Sequence, residues 1–192
     1  MTAKHYTNLN DPELIQLINK GAIGVIPTDT VYGLVAQAAN KIAVEKLYQT
    51  KRRELPPGTI IGSGIDSFVT LGFDRTHLNR AAQYWPASLS VVLDASFVPN
   101  YLKQARDTLP VRIPANTPLA ALLSQTGPLM TTSANAPKQP TSSSIKMAVD
   151  YFGNEVDFYV DGGDLSDRPP STIIGFDSTG RVVVYRQGAV QI

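Results

Sequence analysis

Short runs of apolar and β-branched residues alternate along this chain with segments whose apolar residues recur at helical spacing, and no other feature constrains the fold as much. The runs are AIGVI (22–26), TIIGSG (59–64), LSVVLD (89–94), LPVRIP (109–114), GPLMTTSAN (127–135), VDFYVDGG (156–163), STIIGF (171–176) and RVVVYR (181–186). AIGVI is apolar throughout, as a strand covered on both faces would be. Helical patterns stand between the runs. In the first, Asn10 or Asp11 can cap, Pro12 suits the opening turn, Leu14, Ile15, Leu17 and Ile18 make an apolar side, and Gly21 ends it. The others are KIAVEKLYQTKRR (41–53), HLNRAAQYW (77–85) ahead of Pro86, PLAALLSQ (118–125), and SIKMAVDYFG (144–153), closed by Gly153. This order predicts an α/β fold, and the last two strands, joined across DSTG, predict a hairpin that makes the sheet mixed. No repeat or linker divides the chain, the longest loop being APKQPTSSS (136–144), so residues 1–192 are expected to form one domain.

Composition narrows the chemistry. A chain of 192 residues, 43% hydrophobic and 17% charged, has enough apolar material for a real core. A net charge of +1 supplies no global field for nucleic acid, so any RNA contact has to come from a local patch. With no cysteine, thiolate chemistry, disulfides and cysteine-based zinc sites are excluded, and with only His5 and His77 a histidine metal site or histidine base is not expected. No apolar run reaches membrane-spanning length and no secretory core precedes the first helix, so the chain reads as cytoplasmic.

The polar residues gather in a pattern. IPTDTVYG (26–33) leaves a buried strand and at once supplies Thr28, Asp29 and Thr30, either as an ordinary turn or as the rim of a pocket. Thr131, Thr132, Ser133 and Asn135 follow a second apolar run, and Ser171 and Thr172 border a third. Three such clusters at strand ends favour a binding site over three independent turns. Lys51, Arg52 and Arg53 suit a helix end, where cations complement the helix dipole and truncation should cost little stability. Arg112 differs, because VRIP sets a guanidinium inside an apolar strand, where an unpaired charge is costly. It has to meet an anion, either an internal carboxylate or a ligand, and Arg186 beside VVVY poses the same question. Separated cations and hydroxyl-lined loops together suit a substrate with both a phosphate chain and a carboxylate, although no Walker loop is present.

Assembled in order, these residues resemble the YrdC-like threonylcarbamoyl-AMP synthase family, in its short single-domain form. IPTDTVYGL is similar to its first signature, KRR carries its Lys-x-Arg as Lys51 and Arg53, and LPVRIP resembles its Arg-bearing strand. MTTSAN resembles its Thr-Ser-Ala-Asn signature, and STIIGF with VVVYRQGAV its Ser-Thr strand and terminal Arg-x-Gly. The resemblance implies a YrdC-like domain, a twisted mixed sheet flanked by helices with an open cleft. It implies a nucleotidyltransferase that joins L-threonine, bicarbonate or CO2, and ATP into threonylcarbamoyl-AMP and releases pyrophosphate. The product would serve threonylcarbamoyladenosine modification of tRNA through later-acting tRNA threonylcarbamoyltransferase proteins, with direct tRNA contact possible. Carried over by motif, Thr30, Arg112, Thr131 and Ser171 hold threonine. Arg53, Thr108, Ser133, Asn135, Thr141 and Arg186 hold ATP, and Lys51 and Arg53 are the catalytic cations. Mg²⁺ would come with the nucleotide phosphates, with no metal site on the protein.

The chain departs from that pattern in three places. ELPPGTIIGSG lacks the family's asparagine and histidine after Lys-x-Arg, WPASLSVVL replaces Trp-Pro-Gly-Pro-Leu-Thr, and SANAPKQP lacks the usual Ser-Gly. The alternatives are a YrdC-fold RNA-binding protein without synthase activity and a carbamoyl-adenylate domain of a larger enzyme. Retention of Lys51, Arg53 and TSAN argues against the first, and the lack of zinc-finger cysteines against the second.

Overall fold

The computed structural model describes residues 2–51 and 57–192. Within them the chain runs β1 (Lys4–Tyr6), α1 (Pro12–Asn19), β2 (Gly24–Pro27), β3 (Tyr32–Gln37), α2 (Lys41–Thr50), β4 (Thr59–Ile61), α3 (Ile65–Val69), α4 (Arg75–Ala81) and β5 (Leu89–Asp94). It continues through α5 (Asn100–Lys103), β6 (Thr108–Arg112), α6 (Thr117–Thr126), β7 (Leu129–Ser133), α7 (Ile145–Phe152), β8 (Phe158–Val160), β9 (Thr172–Phe176) and β10 (Val182–Arg186). Among the described residues no helix is long and apolar enough to cross a membrane.

Local chemistry sets the helix starts. Asp11 Oδ1 accepts from the backbone N–H of Glu13 at 2.8 Å and of Leu14 at 3.4 Å, with Pro12 in the first turn. Asn40, Asn116 and Ser144 cap α2, α6 and α7 in the same way, each cap being worth about 1 kcal/mol. The strands join one open mixed sheet in the order β1-β8-β2-β3-β7-β4-β6-β5-β9-β10. The terminal hairpin pairs β9 with β10 antiparallel, as its sequence predicts. The stretch after AIGVI holds an unexpected strand. Thr28 to Val31 form a tight turn in which Thr28 Oγ1 donates to the Val31 carbonyl at 2.6 Å, and the chain returns as β3 beside β2.

Side chains alternate between the faces of a sheet, and the core divides accordingly. On one face Val25, Leu34, Ile60, Val91, Val111, Met130, Tyr159 and Ile174 meet Val44 and Leu47 of α2, Phe68 of α3, Leu78 of α4, Leu102 of α5, and Ala148 and Phe152 of α7. Their neighbours Ile26, Val35, Ile61, Leu129, Phe158 and Val160 point to the other face, against Leu14 and Ile18 of α1 and Leu119, Leu122 and Leu123 of α6. Each fully buried Leu or Ile contributes roughly 1.5–3 kcal/mol. These two helices cover only part of the second face. Past Ile61 and Leu129, which pair across the sheet, the same parity continues as Thr59 opposite Thr131, then Ser133 opposite Gly33. On β4, β7 and β3 the apolar residues give way to hydroxyls and a glycine where the helices stop covering them.

Candidate active site

The uncovered part of the second face is a cavity of about 680 Å³. That is a size common for small-molecule sites. Its floor takes Gly33 from β3, Thr131 and Ser133 from β7, Thr59 from β4, Thr108, Pro110 and Arg112 from β6, Val92 from β5, and Ile173 from β9. Thr28, Thr30, Val31 and Tyr32 form one rim, and Pro170, Ser171, Tyr185 and Arg186 another. IPTDTVYG is therefore both a hairpin turn and a pocket rim. The clusters read as strand ends lie in part within the strands, and the site is the sheet face itself. The hydroxyls cluster because every second residue of adjacent strands faces the same way.

Arg112 answers its question with an internal anion. Its side chain is 5% exposed and its Nη2 lies 2.9 Å from Oδ1 of Asp29, itself 4% exposed. Ser88 Oγ donates to the other Asp29 oxygen at 3.0 Å. The ion pair is close but not aligned: Asp29 Oδ1 receives no hydrogen bond, and Arg112 Nε donates none. Burial pushes the Arg112 pKa down, the Asp29 carboxylate pushes it up, and Arg186 pushes it down again. Both arginines line the same cavity. Arg186 donates through Nε and Nη2 to the Ser171 carbonyl at 3.0 and 2.8 Å, and through Nη2 to Ser171 Oγ at 3.1 Å.

Eight of the residues assigned a role by the resemblance line this one cavity: Thr30, Thr108, Arg112, Thr131, Ser133, Thr141, Ser171 and Arg186. Lys51 and Asn135 stand behind it. Lys51 does close α2 as its C-cap, but contrary to the expectation that its truncation would cost little stability it is only 2% exposed. Its ammonium donates to the Ser133 carbonyl at 2.5 Å, the Asn135 carbonyl at 2.6 Å and Asn135 Oδ1 at 2.5 Å. Asn135 Oδ1 also accepts from Ser133 Oγ at 2.7 Å, and Asn135 Nδ2 donates to the Gln139 carbonyl at 2.8 Å. Arg53 lies outside the described residues. Sequence reasoning missed Arg106 and Tyr185 on the lining, and the pairing of Asp29 with Arg112. Arg106 carried a signal, a cation just before an apolar strand, whereas the partner of Asp29 is remote in sequence and carried none.

Among the described residues, no group of three or more His, Cys, Asp or Glu side chains is arranged to hold a metal. What the cavity offers is hydroxyls, loop carbonyls and arginines. Such a lining suits anions and polar groups, and among the described residues no His, Cys, Asp or Glu lines it.

The family model named for Sua5, YciO and YrdC, described as telomere recombination, matches residues 16–188. A threonylcarbamoyl-AMP synthase of Pseudomonas fluorescens is 30% identical over 170 residues, covering 86% of this chain and 91% of that protein. The crystal structure of P. abyssi Sua5 complexed with L-threonine superposes with a TM-score of 0.82 at 25% identity, over 98% of this chain and 58% of that one. E. coli YciO superposes with a TM-score of 0.78 at 26% identity, over 99% of this chain and 96% of its own. This chain therefore spans less than two thirds of the length of the Sua5 structure.

Proposed function

The chain belongs to the Sua5/YciO/YrdC family, and from that premise we propose that it is a threonylcarbamoyl-AMP synthase, a nucleotidyltransferase acting in tRNA modification. It joins L-threonine, CO2 or bicarbonate, and ATP, and releases pyrophosphate. The observation that carries this reading is the cavity: buried Arg112 with an unused Nε–H, and Arg186 across from it, set among threonine and serine hydroxyls. Such a site suits a carboxylate and a phosphate chain held side by side.

In this reading Arg112, with Thr30, Thr131 and Ser171, takes the threonine. Arg53, Thr108, Ser133, Asn135, Thr141 and Arg186 take ATP. The neutral threonine amine attacks CO2, forming an N–C bond while one C=O π bond opens, and gives up a proton to solvent to leave a carbamate. A carbamate oxygen then attacks the α-phosphate, and the bond to the pyrophosphate leaving group breaks. The protein's part is to hold two anions together and to spread the charge that develops on phosphorus. Lys51 supports that by fixing the carbonyls and amide of Ser133 and Asn135. Mg²⁺ would enter bound to the nucleotide phosphates and is assigned no protein ligand.

We read residues 1–192 as one YrdC-like domain, because a single sheet contains strands from Lys4–Tyr6 through Val182–Arg186. The product would pass, in the cytoplasm, to later-acting tRNA threonylcarbamoyltransferase proteins, with or without direct tRNA contact. The test is pyrophosphate release with all three substrates and with each omitted in turn. Release that needs all three supports the synthase. Release without threonine, or none at all, rejects it.

A further inference from the structure

We propose that Asp29 is a positioning residue for the amino-acid substrate: it holds Arg112 through Nη2 and leaves the other guanidinium donors for the substrate carboxylate. This rests on the synthase reading above. Three observations carry it. Asp29 and Arg112 are both about as buried as the apolar core, so neither charge is balanced by solvent. Asp29 is itself anchored, since it sits in the tight turn between β2 and β3 and its second oxygen accepts from Ser88. Arg112 nevertheless keeps a buried N–H at Nε without an acceptor, on a side chain that lines the cavity. A guanidinium has five N–H donors in a fixed fork, so one carboxylate at Nη2 leaves room for a second.

Charge agrees with this arrangement. Arg106, Arg112 and Arg186 bring three positive charges to the cavity and Asp29 offsets that of Arg112 only in part, leaving an excess that suits a carboxylate beside a phosphate chain. The rival role is a placeholder that occupies Arg112 in the empty site and gives way to substrate. That would require Asp29 to leave its partner while still held by Ser88, stranding a buried carboxylate. The two roles predict opposite signs for the loss of the Asp29 charge.

The test is titration calorimetry with L-threonine and separately with ATP on the intact protein, Asp29→Asn and Ser88→Ala, with melting curves for each. Asparagine keeps the size of the side chain and an acceptor for Ser88. The expected result for Asp29→Asn is threonine affinity weaker by about tenfold or more, with ATP affinity changed less than about threefold. Ser88→Ala, which removes only the hydroxyl contacts to Asp29, should weaken threonine by a smaller factor in the same direction. A purely structural role would lower both affinities together or neither. Threonine binding as tight as in the parent, or tighter, in either variant overturns the proposal while leaving the synthase reading intact. A parent protein that does not bind threonine overturns both. Should Asp29→Asn not fold, Ser88→Ala decides alone.

Discussion

Lys51 Nζ lies 2.5 Å from Asn135 Oδ1 and 2.6 Å from the Asn135 carbonyl, tying the end of α2 to the loop that follows β7. A lysine that reads in sequence as a helix-end charge is in the structure a buried strut. Its ammonium also reaches the carbonyl of Ser133, a lining residue, so the shape of one cavity wall depends on it.

Lys51→Ala is therefore expected to loosen the fold and the nucleotide side together. Losing the donor to three acceptors costs on the order of 1–3 kcal/mol. In a chain of this size each kcal/mol lowers the melting temperature by about 2–4 °C. ATP affinity should fall in step. A variant with an unchanged melting temperature but lost ATP affinity would instead assign Lys51 to direct phosphate contact.

Arg112→Lys retains a charge for Asp29 but loses the planar fork and the Nε–H. Threonine affinity should drop by about ten- to a hundredfold, the equivalent of roughly 1.5–3 kcal/mol for a charge-assisted hydrogen bond. Because the internal anion is real, the melting temperature should fall as well. Threonine titration on the folded variant separates the effects, and unchanged affinity beside a lowered melting temperature would leave Arg112 a purely structural cation.

Much of the scaffold was legible because its signals are local. Asp11 with Pro12 announces the first helix through bonds that span two or three residues, and AIGVI and LPVRIP are apolar enough to declare strands. Strand β3 was not legible, because TVYG reads as turn chemistry until β2 and β7 pair on either side of it. The three residues of β1 are strand only because β8 accepts them. At the site, residue types were readable but partners were not. Thr131 and Arg112 stand out as hydroxyl and cation, whereas the burial of Lys51 and the pairing of Asp29 with Arg112 arise from packing between distant segments.

Tyr159 gives the fold a sensitivity to alkali. Its ring is buried and its hydroxyl donates to the Gly153 carbonyl at 2.8 Å. Burial first, and then the charge of Glu155, push its pKa from 10.0 up to about 12. The fold thus favours the neutral phenol. That contribution is complete below the unfolded value and is lost as pH rises from about 10 towards about 12. Tyr159→Phe should start about 1 kcal/mol less stable at neutral pH, for the lost hydrogen bond, and then decline less steeply above pH ~10. Tyr6, also raised to about 12, should keep some of the slope. Urea unfolding across that range checks it, and parallel curves for the two proteins would refute the assignment.

Gly33 is the position where a single methyl group should reach the substrate. A Cβ there would stand 2.5 Å from Thr131 Oγ1 and 3.1 Å from Thr28 Cγ2, and the first contact is too close to survive. The backbone of Gly33 is not left-handed, so the penalty is one of space and not of dihedral strain. The easiest relief is rotation of the Thr131 side chain, since its hydroxyl is a movable end while β3 and β7 are paired at this register. Gly33→Ala should then cost about 1–3 kcal/mol as an overpacked site and turn the Thr131 hydroxyl away from the cavity. With Thr131 assigned to threonine, affinity for threonine should fall while ATP affinity holds. A double-mutant cycle isolates the cause: in a Thr131→Ala background the nearest clashing atom is gone, so adding Gly33→Ala should change threonine binding little. Full additivity of the two substitutions would mean that the methyl acts by another route, such as Thr28, and that Thr131 does not carry the effect.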